Sequence, residues 1–201
     1  MSMKKKSSTL KIIFVMTIIL LTLVLSYLYI QTRTTPLINR KDGNKSELEI
    51  LLTKDIESGY PNSPRKLVEL YSRYAKGMFN EKPNDKEIET LADKIRLLFD
   101  DELLLHNPLD TYLIELKTEI TSYRKANRTM MNYVIQSSDG IQYWTKDKVE
   151  YAYVIASYTL KENSDYTKIY EKFLIRKDSD GNWKILGWEI AEEVDLTSKA
   201  E

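Results

Sequence analysis

The sequence predicts an α+β protein, an N-terminal transmembrane helix followed by helices that pack on an antiparallel sheet. Three observations carry this. Residues Ile12 to Ile30 are nineteen consecutive uncharged residues. Apolar residues then recur at helical spacing as far as about Ile120. From Arg128 onward Tyr, Val, Ile, Thr and Trp dominate in short runs cut by turn residues. Helices first and an antiparallel sheet second is an α+β layout.

At about 1.5 Å per residue the first apolar stretch is roughly 28 Å long, close to the hydrocarbon thickness of a bilayer. Lys4, Lys5, Lys6 and Lys11 precede it without an acid, so the short tail is expected in the cytoplasm and the rest of the chain outside it. A cleaved signal peptide would have a shorter apolar region and small residues at the cut. Here the run ends in Tyr27, Leu28, Tyr29 and Ile30, and no cysteine is present to accept a lipid. Thr22 and Ser26 are a small-xxx-small pair that could bring two such helices together. The expected organisation is a cytoplasmic tail over 1–11, a transmembrane helix over 12–30, a flexible stem over 31–45, an extracytoplasmic domain over 46–195 and a disordered tail over 196–201.

The domain opens with Ser46-Glu47-Leu48-Glu49, a capping box that starts a short helix to about Ser58. Ser63 reads as an N-cap with Pro64 at the first helical position. Leu67, Leu70, Tyr71, Tyr74 and Met78 give that second helix one apolar stripe, and Pro83 breaks it. Asn84 and Glu87 form another capping box. Ile88, Leu91, Ile95, Leu98 and Phe99 extend a third helix to about Leu104. Asn107-Pro108 restarts a fourth, with Leu109, Tyr112, Leu113, Leu116 and Ile120 on one side. Strands are expected near 128–137, 141–145, 148–161, 166–177 and 182–191, with turns at Asp139-Gly140, Asn163-Ser164-Asp165 and Asp178-Ser179-Asp180-Gly181.

Alternation along the strands predicts two apolar faces. Val149, Tyr151, Tyr153 and Ile155 share one side; Ala152, Val154, Ala156, Tyr158 and Leu160 share the other. In the last strand Trp183 and Ile185 oppose Leu186, Trp188 and Ile190. A half-solvated antiparallel sheet would alternate apolar with polar. One face therefore meets the helices. The other is covered by a ligand, a second copy or a partner, unless sheet curvature buries both within the monomer.

Composition excludes several classes of function. The chain has 30 basic and 30 acidic residues, and all the acids follow the apolar stretch against 26 of the bases. A mildly acidic domain without a basic stripe argues against nucleic acid. With no cysteine and one histidine there is no disulfide, thiolate metal site or multi-histidine site. His106 sits at a helix end, where it favours the dipole and needs no catalytic role. Asp178, Asp180, Asn182 and Glu189 match four spacings of a calcium loop, but Trp183 stands where the sharp turn needs Gly. The fourteen tyrosines fit strand packing, and could also line a pocket or an interface. Asn44-Lys45-Ser46 and Asn127-Arg128-Thr129 are sequons that matter only in a eukaryotic secretory pathway. No catalytic, cofactor or metal set emerges.

The run Phe173 to Trp188 (FLIRKDSDGNWKILGW) resembles the closing hairpin of the nuclear-transport-factor-2-like, cystatin-like cone fold. The stretch Arg96 to Leu104 with Asn107-Pro108 resembles a family of single-pass membrane proteins of clostridial-type bacteria, a domain of unknown function. The resemblance implies a cone of helices on a curved sheet and no particular activity. The expectation is a non-catalytic, membrane-anchored extracytoplasmic binding or assembly module. It would hold lipid through its first helix and a second copy or an envelope protein through its sheet face. The alternatives are a small-ligand or enzymatic pocket in the cone and a conjugation or secretion scaffold component.

Overall fold

The computed structural model of the protein describes residues 45–196. The expected cytoplasmic tail, membrane helix, Thr22–Ser26 pair, Asn44 sequon and last five residues lie outside the described residues. Among the described residues no helix is long and apolar enough to cross a membrane. Five helices precede the sheet: α1 (Glu47–Thr53), α2 (Pro64–Asn80), α3 (Asp85–Arg96), α4 (Asp101–His106) and α5 (Leu109–Lys125). Five strands follow: β1 (Arg128–Ile135), β2 (Gln142–Lys146), β3 (Val149–Glu162), β4 (Asp165–Lys177) and β5 (Trp183–Ala191). The α+β layout is consistent with a nuclear-transport-factor-2-like cone.

Both capping boxes form, Ser46 with Glu49 and Asn84 with Glu87, each satisfying two backbone N–H groups that a helix start leaves unpaired. Ser63 caps α2 with Pro64 in its first turn. The expected third helix, by contrast, does not run to Leu104. It ends at Arg96, and residues 97–100 turn aside so that Leu98 and Phe99 bury against β5. There the Asp100 N–H donates to the Ile185 carbonyl and the Ile185 N–H to the Leu98 carbonyl, both at 2.8 Å. Asp100 then caps α4 through the N–H of Glu102. Unbroken apolar spacing hid this break, although Asp100-Asp101-Glu102 is a helix-start signal.

The sheet is antiparallel in the order β1-β3-β4-β5. β2 pairs with the first part of β3, and β1 with its second part. Between them the Gln136 side chain accepts from the Ile155 N–H at 3.0 Å and keeps the ladder satisfied where β3 changes partner. Asp147 and Lys148 both take positive φ in the two-residue β2–β3 turn, which matches the twist of the flanking strands. Gly181, at φ 82°, closes the β4–β5 turn.

The helices cover one face of the sheet. Ala152, Val154 and Ala156 of β3 meet Phe173 and Ile175 of β4 there, all fully buried with Leu67, Val68, Leu91 and Ile95 of the helices. The last strand corrects the expected alternation. A bulge at Leu186 shifts the register, so that Ile185 faces Ile175 and Trp188 faces Phe173. Trp183, Ile185 and Trp188 therefore share the helix side. On the outer face Trp144 lies against Tyr151 and Tyr153, and Lys172 sits 4.0 Å over Tyr153. The segment after β5 returns along that face. Tyr170 donates to Glu193 at 3.0 Å, the Ser137 N–H donates to the Leu196 carbonyl at 2.9 Å, and Leu196 is buried.

Candidate functional site

Between the helices and the concave sheet face lies a cavity of about 250 Å³. α2 contributes Tyr71, Ala75, Met78 and Phe79, and α5 contributes Tyr112, Glu115, Leu116, Glu119 and Tyr123. The sheet contributes Met130, Tyr158, Ile169, Glu171 and Trp188. These are the inward stripe of each helix and the inward residues of each strand, so the fold alone brings them together.

Aromatic rings form one end. Tyr71 is the hub, with ring centroids 5.3 Å from Phe173, 5.5 Å from Trp188 and 6.3 Å from Phe99. Tyr112 meets Phe99 edge-on at 6.0 Å. At another side Phe79 stacks on Tyr123 at 4.2 Å. Such offset and edge contacts hold rings in place beyond what area burial supplies. The Leu186 bulge is what turns Trp188 into this cluster.

Polar groups converge on the same space. Tyr158 shares a 2.9 Å hydrogen bond with Ser72, and both are buried. The Tyr71 hydroxyl makes no hydrogen bond among the described residues. Glu171 projects inward from β4 between Ile169 and Phe173, and burial pushes its carboxyl up to about 7, helped by repulsion from Glu119. Glu119, exposed at the rim on α5, is also raised, first by the surrounding protein, with Arg128 opposing. Burial lifts the Tyr112 phenol to about 12 and also raises those of Tyr71 and Tyr158 well above the ordinary value. Neither Glu119 nor Glu171 has a hydrogen bond or ion pair among the described residues, and no Lys or Arg lines the cavity. Arg128, the base that opposes the rise at Glu119, is engaged with Glu162.

The residues singled out from the sequence lie elsewhere. His106 ends α4, exposed, its Nδ1 2.8 Å from the Glu102 carbonyl, and is not part of the cavity wall. Asp178 accepts from the N–H groups of Asp180 and Asn182 and so shapes the hairpin tip, while Glu189 faces Lys172 at 3.8 Å. Among the described residues no three acids or histidines gather as a metal would need. Asn127 takes a positive φ where α5 passes into β1. A shallower hollow bounded by Lys117, Thr121, Ser122 and Lys125 is lined by α5 and its end alone, an open helix face.

Sequence reasoning did not single out Glu119 and Glu171. Two signals were available. Glu171 shares parity with Ile169, Phe173 and Ile175, which places a carboxylate on an otherwise apolar face. Glu119 lies three residues after Leu116 and four before Tyr123, within the inward stripe of α5.

A family model described as a domain of unknown function, DUF6715, matches residues 1–188 and so runs through both the apolar stretch and most of the domain. No curated protein matches the chain.

Proposed function

The chain belongs to the DUF6715 family, a domain of unknown function, and we propose that its domain binds a small ligand between the helices and the concave sheet face. In this reading residues 12–30 hold the domain at the outer side of a membrane. The observation that carries the binding reading is the cavity itself, with inward carboxyls on two different elements and no protein partner for either. Glu119 is exposed and Glu171 half-buried, and among the described residues no buried side-chain oxygen lacks a partner, so both carboxyls are solvated and open to a ligand's donors. A pocket with apolar walls and a few convergent polar groups is the usual form of a small-molecule site. At about 250 Å³ it is smaller than the roughly 300–1,000 Å³ typical of drug-sized ligands, which points to a compact occupant.

Methyl NMR on the full-length chain in detergent, with labelled methionine and indole as probe, tests the pocket. Met78 and Met130 line the cavity, and Met131 is 47% exposed next to it. Shifts at Met78 and Met130 but not at Met131 are expected. Their absence at millimolar indole would remove the reading. The membrane placement has its own test: full-length protein released into the soluble fraction by a high-pH carbonate wash would overturn it.

The outer sheet face supports a second reading, docking of another copy or an envelope protein. Val134 and Met131 are 43% and 47% exposed on β1, and the Trp144–Tyr151–Tyr153 stack lies on the outer face farther along β3. The 192–196 segment already covers part of that face, so the cone is the better supported site.

A further inference from the structure

We propose that the cone takes a small protonated amine carrying an apolar group, bound by its N–H donors to Glu171 and Glu119 with its apolar part against the ring cluster. This rests on the reading of the cone as a ligand pocket and adds the ligand's charge and shape.

The charge follows from the wall. Glu115, Glu119 and Glu171 line the cavity and no base does, so its potential is negative. An anionic ligand would add its charge to this set of acids, and the cations nearby, Arg96 and Arg128, are already held by the Asn107 carbonyl and by Glu162. A neutral ligand would leave the carboxyls as they are. An ammonium group supplies what both lack, since charge-assisted hydrogen bonds are about twice as strong as neutral ones.

The rings point the same way. Tyr71, Tyr112 and Trp188 present aromatic surface to the cavity, and the face of a ring attracts a cation through its quadrupole. The protein already uses this attraction nearby, with Arg96 held 5.4 Å from the Tyr112 centroid and Arg128 5.0 Å from that of Tyr123. The free hydroxyl of Tyr71 adds one more acceptor for an N–H.

The apolar part follows from Met78, Leu116, Met130 and Ile169, which a fully hydrophilic polyamine would leave against charge. A primary or secondary amine is favoured over a quaternary ammonium because inward carboxyl oxygens reward N–H donors, which the quaternary group does not have.

The test compares four probes that share a phenylethyl frame and differ in the head group, on the full-length chain in detergent: phenethylamine, phenethyl alcohol, 3-phenylpropanoate and phenethyltrimethylammonium. Calorimetry gives affinities, and the Met78 and Met130 methyl signals report that binding is in the cone. The amine is expected to bind about tenfold or more tightly than the alcohol, the size of one charge-assisted hydrogen bond. E171Q should remove most of that preference, and E119Q a smaller part should E171Q fail to fold. Alcohol or acid binding as tightly as the amine, with the same methyl shifts, overturns the cation while the pocket survives. Tighter binding of the quaternary probe overturns the hydrogen-bonding amine. Failure of all four to move either methyl at millimolar concentration overturns both the pocket and its ligand.

Discussion

Two inward-facing carboxylates of this domain meet opposite fates. At the corner where α3 breaks into α4, Asp100 is 3% exposed and fully used. Its oxygens accept from the Glu102 N–H and from the Arg176 guanidinium, which reaches Oδ2 at 2.9 Å, holds Oδ1 with a second nitrogen, and touches Glu102 at 3.2 Å. In the middle of the cone, Glu171 stands on the same strand as Arg176 and has no partner among the described residues. Glu171 and the Arg176 that serves Asp100 stand on one strand, so the difference is one of supply. The corner provides a fork of donors and a helix N-terminus, and the cone provides rings and another acid. A paired carboxylate of this kind holds the fold together. An unpaired one is a site kept at some expense of stability, as binding sites tend to be.

Removing Asp100 should do the most damage. Asp100→Ala strips the cap from α4 and leaves Arg176 facing a hollow. Breaking a buried pair on one side costs about 3–5 kcal/mol. Arg176 is 26% exposed and can turn to water, so the lower end is expected, about 3 kcal/mol in urea unfolding. The double variant Asp100→Ala/Arg176→Met sharpens the point. It should recover part of the loss, because no unpaired charge remains. A loss below about 0.5 kcal/mol would show that the corner does not hold the fold, the range usual for a surface position.

Glu171→Gln should act in the opposite direction, and only at higher pH. The ordinary glutamate value is 4.5, and in the fold the group titrates at about 7. Below pH 4.5 both states hold the proton and the group favours neither. Between 4.5 and 7 the unfolded chain releases its proton while the folded chain keeps it, so stability falls as pH rises, and it levels off above 7. The groups around it add no cation: Tyr71 from α2, Tyr112, Glu115, Glu119 and Tyr123 from α5, and Tyr158 from β3. Gln removes the titration. It should stabilise the protein by about 2 kcal/mol at pH 8, after allowing for partial solvent contact, and by little at pH 4. Parallel unfolding curves at the two pH values would instead place Glu171 in an ordinary surface environment.

How much of this contrast can be read from the chain depends on whether the signal is local. Ser46, Ser63 and Asn84 are caps whose partners lie three residues away, and the helix starts follow directly. The five strands lie within two residues of their expected bounds, because alternation and turn residues are also local. The Leu186 bulge is not local. Whether one residue loops out depends on what Phe173 and Ile175 present across the ladder, and this decides that Trp188 points into the cone. The break at Asp100 likewise needs Arg176, 76 residues away. The cone acids were half visible. Their positions within apolar stripes can be read from parity, but their meeting in one cavity, and the absence of a base there, belongs to the packing of α5 against the sheet.

The same contrast is repeated in miniature by two hydroxyls within the cone. Tyr158 is 2% exposed and its oxygen lies 2.9 Å from the Ser72 hydroxyl, itself fully buried. Tyr71, one residue before Ser72 on α2, shares its hydroxyl with no protein atom among the described residues. Tyr158→Phe leaves the Ser72 hydroxyl without its partner in a dry place, and should cost about 1 kcal/mol or somewhat more. Tyr71→Phe removes an oxygen that nothing in the fold uses, while the ring keeps its contacts with Phe173 and Trp188. Its effect on stability should lie within about 0.5 kcal/mol of zero. Chemical denaturation of the two variants side by side measures the difference, and equal losses would mean that the Tyr71 hydroxyl is already satisfied by the protein. If instead Tyr71→Phe leaves folding untouched but weakens phenethylamine binding, the unpaired hydroxyl serves an occupant of the cone, as its unpaired neighbour Glu171 does.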